Sequence, residues 1–317
     1  MKKKFEIGLA PMAGYTDHIM RSISLKWGAD FVFTEMLSVD GILLNDRATS
    51  KLLPKKPCRV QLFGNEPLKF LEAYKRIADL VTWIDINAGC PVKKVTRKGA
   101  GSALLQNPDR LVSIIKLLKE NTDKPVSVKI RLGWNDNRVL DIVSKLITAN
   151  PDAIFIHGRT TKQKYMGEAD WEAISKAAKF CSEYEIPVFG SGDLFTPEAI
   201  KKIHDNYPVD GVIVARGAIG NPWIFKQSKE LIEKETYEKI TAFERLKAFA
   251  EHLSLLTEEK GFEKGIKESR KFFVGYTRGV NNAAKMRNEY MRLKTIEEIK
   301  NFLLCHGIDT ARIKNLN

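Results

Sequence analysis

A cysteine, a lysine and a histidine stand at the ends of apolar runs, where a folded chain can gather them. Cys90 sits in a Gly-Cys-Pro turn just after Asn87. An unperturbed thiol titrates near pH 8.5, so at neutral pH it carries a proton that it can give up. The commoner role of a lone cysteine is that of a small buried hydrophobe, and Cys58, Cys181 and Cys305 are read that way. Lys129 lies near the end of the run Val-Ser-Val-Lys-Ile-Arg at 126–131. An unpaired ammonium in apolar surroundings is costly. Lys129 must therefore face a negative partner, either a bound anion or a carboxylate such as Glu35 or Asp85. His157 closes another run and reads either as a neutral core histidine or as a ligand contact. Two turns, Gly190-Ser191-Gly192-Asp193 and Ala215-Arg216-Gly217, combine close backbone approach with a guanidinium, the donor set that a phosphate binds. Pro11, Met12, Ala13, Gln61 and Arg131 end the remaining runs. Any one of these is compatible with a structural accident; together they make a polar ring if the runs finish on one face.

The elements that must position them are eight short apolar runs, at 7–12, 31–36, 59–63, 83–87, 126–131, 153–157, 188–190 and 211–215. Between them lie amphipathic stretches, among them 67–80, 108–120, 138–149, 171–184 and 197–206. Asn107-Pro108 and Thr196-Pro197 are helix-start signals. Val- and Ile-rich strands separated by helices imply a parallel sheet, and eight such units imply an α/β fold of the (β/α)8 TIM-barrel type, whose function gathers at the C-terminal strand ends. A doubly wound sheet would carry a Gly-rich fingerprint after its first strand, and Ala10-Pro11-Met12-Ala13-Gly14 is not one. After residue 235 the pattern becomes all-helical, with helices expected at 241–260, 266–277, 283–293 and 295–305. The expected organisation is a barrel at 1–235 and a small helical domain at 236–317.

The 317 residues carry a net charge of +13, with 44% apolar and 29% charged side chains. No apolar run is long enough to span a membrane, and the basic start is followed by too short an apolar stretch for a signal peptide, so a cytoplasmic protein is expected. The four cysteines are scattered, with no C-x-x-C pair, which argues against zinc and for a reducing compartment. The charge clusters: between Lys264 and Lys294 nine Lys or Arg face two acids. Lys93, Lys94, Arg97 and Lys98 follow Cys90 directly and read either as a solvated loop or as a loop that meets phosphate.

The motifs at the strand ends resemble those of the tRNA-dihydrouridine synthases. Ala-Pro-Met-Ala-Gly-Tyr-Thr-Asp at 10–17 is similar to the family's opening motif, and Asp-Ile-Asn-Ala-Gly-Cys-Pro-Val-Lys-Lys-Val at 85–95 to its catalytic-loop motif. The segments 128–134, 156–160, 190–193 and 215–223 follow in the family's order, and 270–287 resembles its C-terminal region. Ala88, Ser191 and Ala215 depart from the commoner Met, Asn and Gly.

The resemblance implies FMN as cofactor, NADPH or NADH as reductant, and reduction of uridine in tRNA by a hydride to C6 and a proton from Cys90 to C5. It places Pro11, Met12, Ala13, Gln61, Lys129, His157, Gly190, Ser191, Gly192, Asp193, Ala215 and Arg216 on the flavin. It places Asn87 and Arg131 on the base, and Lys93, Lys94, Arg97, Arg270, Lys271 and Arg287 on the RNA. Phe272, Phe273, Tyr276 and Tyr290 are read as helical core more than as RNA contacts. No metal is expected, and the oligomeric state stays open, with a monomer slightly favoured. Two other readings are a dihydroorotate-type dehydrogenase, which has no use for a basic helical tail, and a non-catalytic RNA-binding protein, which has no use for Cys90 and Lys129.

Overall fold

The computed structural model describes residues 4–309. Eight strands form one parallel sheet: β1 Glu6–Leu9, β2 Phe33–Ser38, β3 Cys58–Phe63, β4 Val81–Ala88, β5 Val126–Arg131, β6 Ala153–His157, β7 Val188–Ser191 and β8 Gly211–Val214. Their spatial order is β1-β8-β7-β6-β5-β4-β3-β2. The ring closes where Leu9 bridges Val32 and the Leu9 N–H donates to the Phe31 carbonyl at 2.9 Å. Between consecutive strands lie helices, several opened by a side-chain cap. Thr196 accepts from the Ala199 N–H ahead of Pro197–Asn206, and Asp170 from the Ala173 N–H ahead of Trp171–Ser182. Helices His18–Lys26 and Ile224–Lys234 follow β1 and β8.

Side chains alternate along each strand. Ile84, Ile86, Val126, Val128, Ile130, Ile154, Ile156, Val188, Val212 and Val214 point outward into the apolar layer beneath the helices. The opposite parity points inward. There Phe31, Phe33, Phe155, Phe189 and Ile213 plug one part of the barrel, with the Arg59 guanidinium 4.7 Å from the Phe31 ring centre and 4.4 Å from that of Trp83. Above the plug the inward positions turn polar. Gln61 pairs with Asp85 across β3 and β4, Asn87 with Lys129 across β4 and β5, and Arg131 with His157 across β5 and β6.

Helix Ile224–Lys234 ends at Glu235, whose φ is 58°. Four helices follow: Ala242–Lys260, Phe262–Tyr276, Ala283–Tyr290 and Ile296–Cys305. Capping boxes at Thr241 and Thr295 start the first and last. Phe249, Phe272, Phe273, Tyr276 and Tyr290 are buried together, so these aromatics are core, as their spacing suggests. Their cluster is continuous with the barrel's outer apolar layer. The helix Phe262–Tyr276 crosses the segment after β8 at backbone contact: a Cβ added to Gly275 would lie 2.0 Å from the Ile219 carbonyl oxygen. No helix is long and apolar enough to cross a membrane among the described residues.

Candidate active site

The C-terminal strand ends open into a cavity of about 630 Å³, within the range of small-molecule and cofactor sites. Pro11, Met12, Ala13, Gln61, Asn87, Cys90, Lys129, Arg131, His157, Ser191, Gly192, Asp193, Ala215 and Arg216 all line it. So do Lys271, Val274, Gly275 and Arg278, which brings the C-terminal helices into the wall. Sequence reasoning missed Met36, Tyr165, Phe195 and Arg278 in this lining. Tyr165 reaches it from a loop beyond the motif at 156–160, so no strand end signals it.

Lys129 is half-buried, and among the described residues its ammonium has no hydrogen-bond or ion-pair partner. Asp85 and Glu35 are both engaged elsewhere: Asp85 accepts from Gln61 and Ser127, and Glu35 accepts from the Gly14 N–H. Burial, aided by the neighbouring Arg131 charge, lowers Lys129 to about 8. The His157 Nε2 is buried without a partner, and burial together with the charges of Lys129, Arg131, Arg159 and Arg216 lowers the ring to about 2. His157 is therefore neutral, and Lys129 and His157, each with an unpartnered polar group, both line one cavity.

Cys90 lies at the rim with its backbone fastened at both ends. Its N–H donates to Asn87 Oδ1 at 3.0 Å, and its carbonyl accepts from the Ser102 N–H and Oγ, both at 3.0 Å. Burial raises its thiol above the ordinary value, so the proton stays on sulfur at neutral pH.

Several basic side chains have internal duties. Arg131 donates to the Gly89 carbonyl at 2.7 Å, and to those of Thr160 and Lys164 at 3.1 and 2.8 Å. It holds together the two loops beside Cys90 instead of standing free for a base. Arg270 donates to the Leu293 carbonyl, and Arg287 to Thr277 Oγ1 and the Val274 carbonyl. These two fasten the helical bundle and lie outside the cavity lining. Lys271 donates to the Gly14 carbonyl. Asp193 is a carboxylate among the expected phosphate contacts; its Oδ2 accepts from Arg159 at 2.6 Å and from the Ala169 N–H at 2.8 Å. Burial alone would raise it, but these bonds and the Arg159 charge hold it below the ordinary value. Its Oδ1 lies 3.6 Å from Arg216, so Asp193 stands between two guanidinium groups.

Gly190 is absent from the cavity lining because its position has outward parity. A Cβ there would meet Trp171 at 2.2 Å, so its smallness serves helix packing. Lys93, Lys94 and Arg97 also lie outside the lining, exposed on the short helix that begins just after Val92. Among the described residues no group of three or more His, Cys, Asp or Glu converges in a way that could hold a metal.

A family model for dihydrouridine synthase matches residues 8–312. A probable tRNA-dihydrouridine synthase of Treponema pallidum is 36% identical over 87% of this chain and 85% of its own length. A second, of Aquifex aeolicus, is 36% identical over 94% of each, and tRNA-dihydrouridine synthase B of Pseudomonas aeruginosa is 36% identical over 90% of this chain and 88% of its own. Among solved structures, the 6-hydroxypseudooxynicotine amine oxidase of Pseudomonas geniculata aligns with a TM-score of 0.51 at 12% identity, over 79% of this chain and 50% of that one; this likeness is one of fold alone. With a matching model along nearly the whole sequence and relatives above a third identical from end to end, the chain belongs to the dihydrouridine synthase family of enzymes.

Proposed function

We propose that the protein reduces uridine in transfer RNA to 5,6-dihydrouridine, with FMN held in the strand-end cavity. The observation that carries this reading is that Lys129 and His157, each with an unpartnered polar group, line a cavity whose rim holds a protonated thiol. A flat ring edged with carbonyl and nitrogen groups, carrying a phosphate tail, fits that donor set. Gln61, Lys129 and His157 would hold the ring edge. Arg216 and the backbone at Ser191, Gly192 and Gly217 would hold the phosphate.

FMN held there would supply hydride chemistry at uracil C6. The chain's own part is the proton. The Cys90 thiol, kept neutral by burial, donates to C5 as the C5=C6 bond is saturated. Asn87 and Ser102 hold the backbone on both sides of that sulfur, so the donor is positioned before the base arrives. Asn87 also stands where it can meet the base. NADPH or NADH is the source of the reducing equivalents.

The target uridine has to leave the folded stack to reach this depth. In this reading residues 1–235 carry the cofactor site and 236–317 dock the tRNA, while Lys271 and Arg278 also complete the cavity wall. The test is the absorbance spectrum of the purified protein with the mass of the released ligand, together with dihydrouridine mapping in tRNA from cells with and without the gene. The expected result is a yellow protein that releases FMN, and a uridine reduced only when the gene is present. A colourless protein that FMN cannot reconstitute overturns the reading.

A further inference from the structure

Beneath the cavity, a chain of buried polar groups links the barrel interior to the loop that carries Cys90. From below, the Trp83 indole N–H donates to Ser127 Oγ at 2.8 Å, and the Ser127 hydroxyl donates to Asp85 Oδ1 at 2.7 Å. From above, the backbone N–H groups of Cys90 and Gly89 donate to Asn87 Oδ1 at 3.0 and 3.3 Å. Asn87 Nδ2 then donates to Gln61 Oε1 at 2.8 Å, and Gln61 Nε2 donates to Asp85 Oδ2 at 2.7 Å. Ser127 is fully buried, and Gln61 and Asp85 are each 1% exposed, so no bulk water replaces a missing partner.

The direction of this chain is set at its ends. An indole N–H and a backbone N–H can only donate. A hydroxyl or a primary amide accepts on one side and donates on the other, so it passes the direction along. The two arms therefore run toward each other. An ionised carboxylate, which accepts from both sides, closes them. Were the acceptor toward Gln61 lost, its amide would no longer be held with oxygen toward Asn87. The Asn87 amide would then be held only by the Cys90 and Gly89 N–H groups, with nothing bracing its Nδ2 end from below.

We propose that Asp85 is a positioning residue: by accepting from Gln61 it keeps the Gln61 oxygen on Asn87 Nδ2, and so braces the Asn87 amide that seats the backbone of Cys90. The consequence for catalysis rests on the proposed role of Cys90 as proton donor; the seat itself does not.

The test compares two variants of the full-length protein as purified. Asp85→Leu removes the acceptor and keeps the branched shape of the side chain. Asp85→Asn keeps an oxygen toward Gln61 and turns its N–H₂ toward Ser127 Oγ, whose own proton has the Ile84 carbonyl at 3.5 Å as an alternative. In Asp85→Leu, alkylation of Cys90 by iodoacetamide, followed by mass spectrometry, should quicken about fivefold or more, the factor that one lost hydrogen bond gives. The Cys90 backbone amide should lose hydrogen-exchange protection. The kcat for uridine reduction should fall about 10- to 100-fold, as a displaced donor implies, with KM for tRNA unchanged. Asp85→Asn should stay within about threefold of the wild type on every measure. Wild-type alkylation and kcat in Asp85→Leu overturn the proposal. So does equal damage in both variants, which would make the Asp85 charge, and not its acceptance, the active property. Should Asp85→Leu not fold, the wild-type protein decides: a Gln61 side-chain amide exchanging as fast as an open peptide overturns the seat. Alkylation and exchange need no tRNA turnover, so they separate this proposal from the proposed reaction.

Discussion

Burial acts on Cys90 and Lys129 in opposite senses. It raises the thiol, which keeps the proton, and lowers the ammonium to about 8, which brings loss of its charge near neutral pH. If Cys90 is the acid, Cys90→Ala should slow uridine reduction by about 10²–10⁴-fold, the usual worth of general acid catalysis. FMN content and flavin reduction by the nicotinamide should be unchanged. Single-turnover assays on tRNA check this, and wild-type turnover would move the acid elsewhere. The pH profile separates the two residues. Lys129 is charged below its pKa and neutral above it. The rate should therefore fall as pH rises through 8 or a little above, before the raised thiol begins to ionise. Lys129→Arg keeps a charge throughout, so it should lose that alkaline limb even if its rate at pH 7 is reduced. A limb that persists in Lys129→Arg would assign it to another group. At this scale the sequence places Cys90, Lys129, Asn87 and Gln61 in the cavity wall, because each sits at a strand end where a polar residue needs a reason. It does not record that Arg131, Arg270 and Arg287 donate to backbone carbonyls. Whether a guanidinium stands free depends on which loop carbonyls fold over it, and no local pattern records that.

At the scale of elements, the eight strands were legible because their apolar runs are bounded by turns and helix-start residues. Val126–Arg131 and Ala153–His157 fall where the pattern puts them. The parity of the strands was not used, and Gly190 shows the effect: it neighbours Ser191 in sequence but faces the helices. Asp85 escaped for the same reason, since its importance comes from an inward position one layer below the site. The brace under the Cys90 loop was also illegible. Gly101 has a φ of 61°, and a Cβ there would lie 2.8 Å from the Cys90 carbonyl oxygen. Gly101→Ala should therefore cost about 1–2 kcal/mol for the left-handed backbone and displace the carbonyl that Ser102 holds. Uridine reduction should slow while FMN content holds. Gly279→Ala is the control, because its φ of 77° carries the same backbone strain with nothing within 4 Å of the added carbon. Equal turnover in the two variants, at equal loss of thermal stability, would remove Gly101 from any role in placing Cys90.

For the whole molecule the open question is which positive charges meet RNA. The sequence groups nine basic residues between Lys264 and Lys294, but the fold divides them by duty. Arg270 and Arg287 hold the helices together, Lys271 reaches the Gly14 carbonyl, and Lys264 lies 3.9 Å from Glu268. Lys267, Lys285 and Arg292 are exposed, as are Lys93, Lys94 and Arg97 on the loop beyond Cys90. A phosphate contact displaces condensed counterions, so binding weakens with salt in proportion to the number of contacts. Changing Lys267, Lys285 and Arg292 together to Gln should therefore weaken tRNA binding and reduce the salt slope by about two to three. The melting temperature and FMN content should not change, because among the described residues these side chains have no hydrogen-bond or ion-pair partner. Arg270→Gln with Arg287→Gln should do the reverse, lowering the melting temperature through lost carbonyl bonds while leaving the salt slope of the folded fraction as it was. Titrations at several salt concentrations, with thermal melts of each variant, separate the two outcomes. An unchanged affinity and slope in the first variant would leave RNA recognition to the cavity mouth and the loop at Lys93, Lys94 and Arg97. The basic helices would then serve solubility alone.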